Sequence, residues 1–409
     1  MNKTLKFCFI TTFFPPHNVG GEGMAIYRLA NLLAQKGHFV DVFYCLDSYR
    51  ILQKHPLKGD FPVHPNIKIY PLKSFAGIFS PLLTQQTGFP FFKNDLVKKL
   101  KTENYDVIHY HNMSLIGFKT ISYGKVTKLF TIHDHWLICP MHALWKFNRE
   151  VCQKKSCLQC QIREGKPPQL WRYTNSLPKS LLEVDCFIAP SKYILEKLLE
   201  SGLKIPIKQI PHFLPTNEIK MDLTDEKIYS RPYFLFVGRL NKIKGVQNLI
   251  PVFKKLPEFD LLIAGEGEYQ ETLINLADNS QNIKFLGGVS PQNLKSLYKN
   301  ATAVVIPSIC PETFGLTTIE AFAMKTPVIV NNLGALPEIV EKSNAGFIFD
   351  GETKLTEAIL KLGNNSSLRD ELGKNGYAAF LEYWSENAHL SQYLNLIEEL
   401  GQQKQLVNN

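Results

Sequence analysis

Tyr233-Phe234-Leu235-Phe236-Val237-Gly238-Arg239-Leu240-Asn241-Lys242-Ile243-Lys244-Gly245 stands just past the middle of the chain. Its five apolar residues do not alternate with polar ones, so they read as a strand buried on both faces, as in a parallel sheet covered by helices. Gly238 then lets the backbone turn. Arg239 and Lys244 place two cations at the strand exit and at the start of the next helix. In open parallel sheets ligands sit beyond the carboxyl ends of the strands. Two cations beside the free N–H groups of a helix start suit a diphosphate. Taken alone, the same residues also read as surface cations flanking a turn.

Downstream, apolar runs at 260–264, 283–286, 303–306 and 327–330 alternate with helical stretches near 245–255, 269–279, 291–300 and 317–324. Upstream the same pattern begins with a strand at 6–12 and the turn Val19-Gly20-Gly21-Glu22-Gly23. A helix over 24–36 follows, with Ile26, Leu29, Leu32 and Leu33 on one face and Gly37 as its stop. Further strands are expected at 39–44, 106–110, 128–132 and 186–189. Two consecutive α/β, doubly wound units, joined near 212–230, the second starting after the polar stretch 216–232, account for this order. A last helix over 388–400 has the option of packing back on the first unit.

Length and composition agree with two domains. The chain has 409 residues, 44% of them hydrophobic, too many for one compact core and enough for two of roughly 200 residues. Twenty-seven Phe and 16 Tyr exclude wholesale disorder. No apolar run reaches the roughly 18–20 residues of a membrane span, and the start is too polar for a secretory leader. Eight cysteines in 409 residues are no disulfide framework, which points to a reducing cytoplasm. Residues 1–215 carry 28 Lys and Arg against 14 Asp and Glu, a net +14; the remainder carries 18 against 23, a net −5. The basic half suits an anionic ligand, an anionic membrane surface or nucleic acid, or is simply a solvated surface.

The strand at 303–306 leads into Pro307-Ser308-Ile309-Cys310-Pro311-Glu312-Thr313-Phe314-Gly315-Leu316-Thr317-Thr318-Ile319-Glu320-Ala321. Glu312 falls in the loop at the strand mouth and Glu320 in the first turn of the helix, so they reach different parts of one ligand. The amides of Gly315, Leu316 and Thr317 remain available for phosphate. Thr317-x-x-Glu320 also fits a capping box.

Joined in this order, the motifs resemble the retaining glycosyltransferases of family 4, which have the GT-B fold of two facing Rossmann-like domains with a cleft between them. The matching pieces are Gly20-Gly21, Thr131-Ile132-His133-Asp134, Ala189-Pro190-Ser191, Gly238-Arg239 with Lys244-Gly245, Ala264-Gly265-Glu266-Gly267, and Glu312 to Glu320. The resemblance implies an acceptor-binding domain over 1–212, a nucleotide-sugar-binding domain over 213–384, and a helix over 385–409 returning to the first. It implies that Arg239 and Lys244 hold the donor diphosphate, Glu320 the ribose hydroxyls and Glu312 the sugar hydroxyls. Phe314, Gly315, Leu316 and Thr317 would meet sugar and phosphate, His133 would face the donor sugar, and Gly20-Gly21 would approach the diphosphate. The implied donor is a UDP- or GDP-sugar, the acceptor a glycan or lipid-linked molecule, and no metal is required for transfer. A GT-B epimerase, a glycan phosphorylase and a catalytically silent nucleotide-sugar-binding protein are the rival readings. Nucleic acid is not an expected partner, and the expected place is the cytoplasm, with the inner membrane face as a peripheral option.

Three features stand outside that assignment, and one motif within it has a second reading to weigh. Cys139, Cys152, Cys157 and Cys160 fall within 22 residues; the spacing admits a structural zinc site, loop thiols or redox disulfides. His109-Tyr110-His111 puts two rings on one strand face with no third ligand nearby, which reads as a polar strand end. Phe89 to Lys101 mixes aromatics and lysines on an amphipathic helix, suited either to an anionic membrane or to ordinary packing of Leu96 and Leu100. Gly265-Glu266-Gly267 lacks the third glycine of a dinucleotide fingerprint, since Gln270 stands there.

Overall fold

The structure, a computed structural model, describes residues 3–52, 60–74, 77, 79–92, 95–219, 229 and 231–408. Most of the expected joint (220–228 and 230) and Lys93 lie outside the described residues. Two compact units are present, one formed by 1–142, 154–210 and 390–409, the other by 143–153 and 211–389.

In chain order, the first part comprises β1 (Lys6–Thr11), α1 (Gly21–Gln35), β2 (Phe39–Cys45), α2 (Leu46–Leu52), β3 (Ile67–Leu72), α3 (Phe79–Thr87), α4 (Asp95–Thr102), β4 (Val107–Tyr110) and β5 (Thr127–Thr131). A short antiparallel hairpin, β6 (Trp145–Lys146) and β7 (Glu150–Val151), is counted with the second unit. Then come α5 (Cys157–Arg163), α6 (Ser176–Leu181), β8 (Cys186–Ala189), α7 (Lys192–Glu200) and β9 (Ile207–Gln209). Seven strands pair in parallel in the order β3-β2-β1-β4-β5-β8-β9. Phe7 and Phe9 fill one face of β1 while Cys8 and Ile10 fill the other, all fully buried, which is why that run lacks alternation.

The second unit continues with β10 (Tyr233–Val237), α8 (Val246–Lys254), β11 (Asp260–Ala264), α9 (Gln270–Ala277), β12 (Ile283–Gly287), α10 (Pro291–Asn300) and β13 (Ala303–Ile306). It is completed by α11 (Leu316–Ala323), β14 (Val328–Asn331), α12 (Leu336–Ser343), β15 (Gly346–Phe349), α13 (Gly351–Gly363) and α14 (Ser366–Ala379). Its six parallel strands run in the order β12-β11-β10-β13-β14-β15. The final helix, α15 (Glu386–Asn408), passes from the second unit to the first after His389. On the first unit Tyr393 is fully buried, and Lys404 pairs with Asp185 at 2.7 Å.

Both sheets are doubly wound, so each has one place where successive connections leave in opposite directions. In the first unit that switch lies between β1 and β4, and in the second between β10 and β13. Loops part at such a point and open a crevice at the carboxyl end of the sheet. The loops there are 12–20 and 111–117 in the first unit, and 238–245 and 307–315 in the second. Arg239, Lys244 and Glu312 stand on this second pair of loops, whereas Gly265-Glu266-Gly267 follows β11.

Several elements depart from the sequence expectations. β3, β9, β15 and the β6–β7 hairpin were not anticipated. β3 carries Pro71 and occupies a sheet edge, where a missing N–H is tolerated. On α4, Leu96 and Leu100 are buried as ordinary packing requires. Two of its lysines lie over rings, Lys99 over Tyr70 at 4.7 Å and Lys101 over Tyr123 at 5.2 Å. Among the described residues no helix is long and apolar enough to cross a membrane.

Candidate active site

At the switch point of the second unit, Lys244 and Glu312 meet. Lys244 ends the short 3-10 turn Lys242–Lys244 that closes the β10 loop, and Glu312 stands in the loop after β13. Lys244 Nζ donates to Glu312 Oε1 at 2.6 Å, and Ser308 Oγ donates to the same oxygen at 2.6 Å. Burial opposes the charge on Lys244, but the Glu312 carboxylate outweighs it and holds the ammonium above its usual range. Arg239 is exposed and close enough to disfavour the Lys244 charge slightly. Among the described residues Arg239 has no carboxylate partner, so two cations share one carboxylate and the site is short of negative charge.

Two glycines make this approach fit. Gly245 adopts φ +79°, and a Cβ there would lie 1.9 Å from the Pro307 carbonyl oxygen. Gly334 adopts φ +66°, with a Cβ position 2.5 Å from the Glu312 amide nitrogen. Ala335 N donates to Glu312 O at 2.9 Å, and Asn331 Nδ2 to Ser308 O at 2.9 Å. The carboxylate loop is thus tied to the segment after β14 before any ligand arrives.

α11 begins at Leu316 with Gly315 as its N-cap and no side-chain cap. Thr317 is therefore inside the helix, and the capping-box reading of Thr317 and Glu320 does not hold. Glu320 instead accepts from Tyr298 Oη at 2.9 Å. Gly315 O receives the first hydrogen bonds, from Thr318 and Ile319, so the amides of Leu316 and Thr317 precede the helical ladder and carry its positive end. Phe314 is buried edge-on to His212 at 5.3 Å.

The first unit assembles a second cluster at its own switch point. Gly20, at φ +85°, caps α1, and Glu22 lies in the first turn of that helix. Thr11 Oγ1 donates to Glu22 Oε1 at 3.2 Å and Asn112 Nδ2 to Glu22 Oε2 at 3.1 Å. Asn112 Nδ2 also lies 3.4 Å from Asp134 Oδ2. Asp134 accepts from the Trp136 amide at 2.7 Å and from His142 Nδ1 at 2.7 Å. These environments push the two carboxyls apart. Burial, with Asp134 nearby, raises Glu22 to about 8. For Asp134 burial works upward too, but His142 and the Trp136 amide outweigh it and hold the carboxylate below its usual range.

His133 follows β5, and its Nε2 lies 3.0 Å from His111 Nδ1. That bond needs one donor and one acceptor nitrogen, so the two rings cannot both be imidazolium toward each other. Burial and then the His111 ring keep His133 well below its usual pKa, hence neutral near pH 7. His109 on β4 and His111 just past its end are buried, with their rings in polar contacts. His109 Nε2 lies 2.7 Å from Thr131 Oγ1 and its Nδ1 lies 2.9 Å from Tyr393 Oη on α15.

The residues expected around the donor phosphates, Arg239, Lys244, Glu312 and the start of α11, come together within one unit. Gly20, Gly21 and His133 belong to the other unit. The four cysteines divide: Cys139, Cys157 and Cys160 belong to the first unit and Cys152 to the second. Among the described residues no three His, Cys, Asp or Glu side chains gather in a group able to hold a metal ion. Glu22, Asn112 and His142 were not anticipated as site residues. Glu22 gave the only signal in sequence, a carboxylate inside the glycine-rich turn.

The geometry is thus two doubly wound units, the second with Arg239 and Lys244 at its switch point. Residues 19–218 match the family described as Glycosyltransferase Family 4, and residues 224–379 match Glycosyl transferases group 1. A probable sucrose-phosphate synthase of Thermosipho melanesiensis is 30% identical over 93% of this chain and 91% of its own. The sucrose-phosphate synthase of Thermosynechococcus elongatus superimposes with a TM-score of 0.70 at 20% identity, over 97% of this chain and 99% of its own. HepE of Anabaena, in complex with UDP-glucose, gives 0.67 at 17% identity over 97% and 100%. The fold is that of the GT-B glycosyltransferases, and the chain belongs to the group 1 glycosyltransferases of family 4.

Proposed function

We propose that the protein transfers a hexose from a UDP- or GDP-sugar, with retention of anomeric configuration, to a glycan or lipid-linked acceptor in polysaccharide or cell-surface glycan synthesis. The observation that carries this reading is the Lys244–Glu312–Ser308 cluster beside Arg239, at the switch point of the second unit. Breaking a sugar–phosphate bond leaves negative charge on the diphosphate and positive character on the sugar ring. Arg239, Lys244 and the leading amides of α11 are aimed to stabilise the first, and Glu312 oxygens the second. Glu320, steadied by Tyr298, binds ribose hydroxyls. No side chain is assigned as general base, because in front-face transfer the departing phosphate accepts the acceptor proton. The acceptor belongs to the basic first unit, and work at the cytoplasmic membrane face fits its charge. A relative's complex with UDP-glucose supports a nucleoside diphosphate sugar as donor.

The test is a donor screen by thermal shift followed by product analysis. A bound donor stabilises the native state by RT ln(1 + [L]/Kd), so one nucleotide-sugar should raise the melting temperature well above the others. Nuclear magnetic resonance of the product formed from it should show the donor's anomeric configuration. An inverted product, or no stabilisation by any UDP- or GDP-sugar, would overturn the proposal.

A further inference from the structure

Away from the switch point, the first unit carries an open groove of about 930 Å³, near the upper end of small-molecule sites, roughly 300–1,000 Å³. Its walls are contributed by α5, α6, the end of α7 and the loop after β5, with Leu137, Leu158, Leu181, Leu182, Leu198 and Ile205 among the lining residues. Three exposed lysines, Lys155, Lys179 and Lys204, line it together with Arg172, and no Asp or Glu does. Arg172 is already committed, stacked on Trp171 at 4.6 Å and bonded to the Trp136 carbonyl at 2.7 Å. The lysines are therefore the charges left for a ligand.

The groove opens onto apolar surface. Leu182 is 71% exposed and Tyr173 62%, and both line it. Beside Tyr173, on the same 3-10 turn, Leu170 is 66% exposed. Trp171 from that turn donates to the Gln85 carbonyl at 2.8 Å, which ties it to α3, where Phe79, Leu82 and Leu83 are also exposed. An apolar channel with a cationic margin and an apolar surround matches an amphiphile with an anionic head, presented by a membrane.

We propose that this groove binds the hydrocarbon chain of a membrane lipid whose phosphate headgroup is held by Lys155, Lys179 and Lys204. The site is independent of which sugar is transferred, and its test uses no nucleotide.

Octyl, decyl and dodecyl phosphate, each below its micelle concentration, serve as probes for the full chain by calorimetry and tryptophan fluorescence. Saturable binding is expected, with affinity rising up to about fourfold for each added methylene. Inorganic phosphate should bind at least tenfold more weakly than dodecyl phosphate, and so should dodecyl maltoside. Replacing Lys155, Lys179 and Lys204 together with Gln should weaken dodecyl phosphate about tenfold or more. Leu182→Asp should do the same and should reduce sedimentation with phosphatidylcholine vesicles containing phosphatidylglycerol. These positions are exposed, so thermal midpoints should stay near wild type; the chain-length series on the unmodified protein tests the proposal even if a variant fails to fold. Affinity independent of chain length, equal binding of dodecyl maltoside, or a dimer abolished by Leu182→Asp would each overturn the proposal. The last would make the groove a contact between copies of the chain.

Discussion

Removing the Lys244 ammonium is the most direct test of the donor site. A unit charge about 4 Å from a phosphate oxygen is worth about 4 kcal/mol at an effective dielectric near 20. The Lys244 side chain is 31% exposed and Glu312 23%, so solvent lowers this. A loss of ~2–4 kcal/mol of transition-state stabilisation follows, the range seen when one preorganised electrostatic partner is deleted. Turnover of Lys244→Ala at saturating donor should fall roughly 30- to 1,000-fold, at least as far as affinity for the nucleoside diphosphate falls.

Part of that loss would come from Glu312, deprived of the Lys244 ammonium and carrying a less neutralised charge beside the incoming diphosphate. Lys244→Ala combined with Glu312→Gln separates the two contributions, because residues in direct contact give a measurable coupling in a double-mutant cycle. Folding stability should change little, by about 1 kcal/mol or less, since the pair is partly open to water. Turnover near wild type in Lys244→Ala, with donor saturating, would refute the role assigned to Lys244.

Glu320→Gln should weaken nucleoside diphosphate binding in calorimetry, whereas Glu312→Gln should leave it intact and reduce sugar transfer; equal losses in both would end the division of roles. Glu22 is raised to about 8 from an unfolded value near 4.5, so it contributes stability that is complete below about pH 4.5 and lost as pH rises through 8. Glu22→Gln should therefore gain on wild type between those limits in denaturant titrations, and a constant difference across that range would place no proton on Glu22. If Cys139, Cys152, Cys157 and Cys160 close a structural site, elemental analysis should find about one zinc per chain, and any one Cys→Ser change should release metal and lower stability together. Metal-free, fully active protein would leave them as loop thiols.

The interior strands were legible because they are buried on both faces. Tyr233–Val237, Asp260–Ala264, Ala303–Ile306 and Cys186–Ala189 stand where the apolar runs placed them. Legibility failed at three of the four sheet edges, β12 being the exception. Pro71 interrupts β3, β9 has three residues, and β15 opens on Gly346. Edge strands have one neighbour and one exposed margin, so their sequences are not forced to be continuously apolar. The donor side was legible for a related reason: its residues follow directly on strands, and the doubly wound order alone brings the ends of β10 and β13 together.

The cluster on the first unit had no such signature. Glu22 follows a helix cap, Asn112 a strand, Asp134 another strand, and His142 stands in a loop with φ +66°. No two of them are close in sequence except Asp134 and His142, and each alone is an ordinary polar residue. They become a site because the β1/β4 switch point and the neighbouring β5 bring three loops to one place, where Asn112 reaches both carboxyls. Two carboxyl groups joined through one amide, one held neutral by burial and the other held charged by His142, form a proton-holding pair of the kind that acid–base chemistry uses. That property belongs to the contact and not to either residue, so no reading of single motifs would produce it. On this argument the first unit holds a proton at Glu22 and a fixed negative charge at Asp134, joined through Asn112.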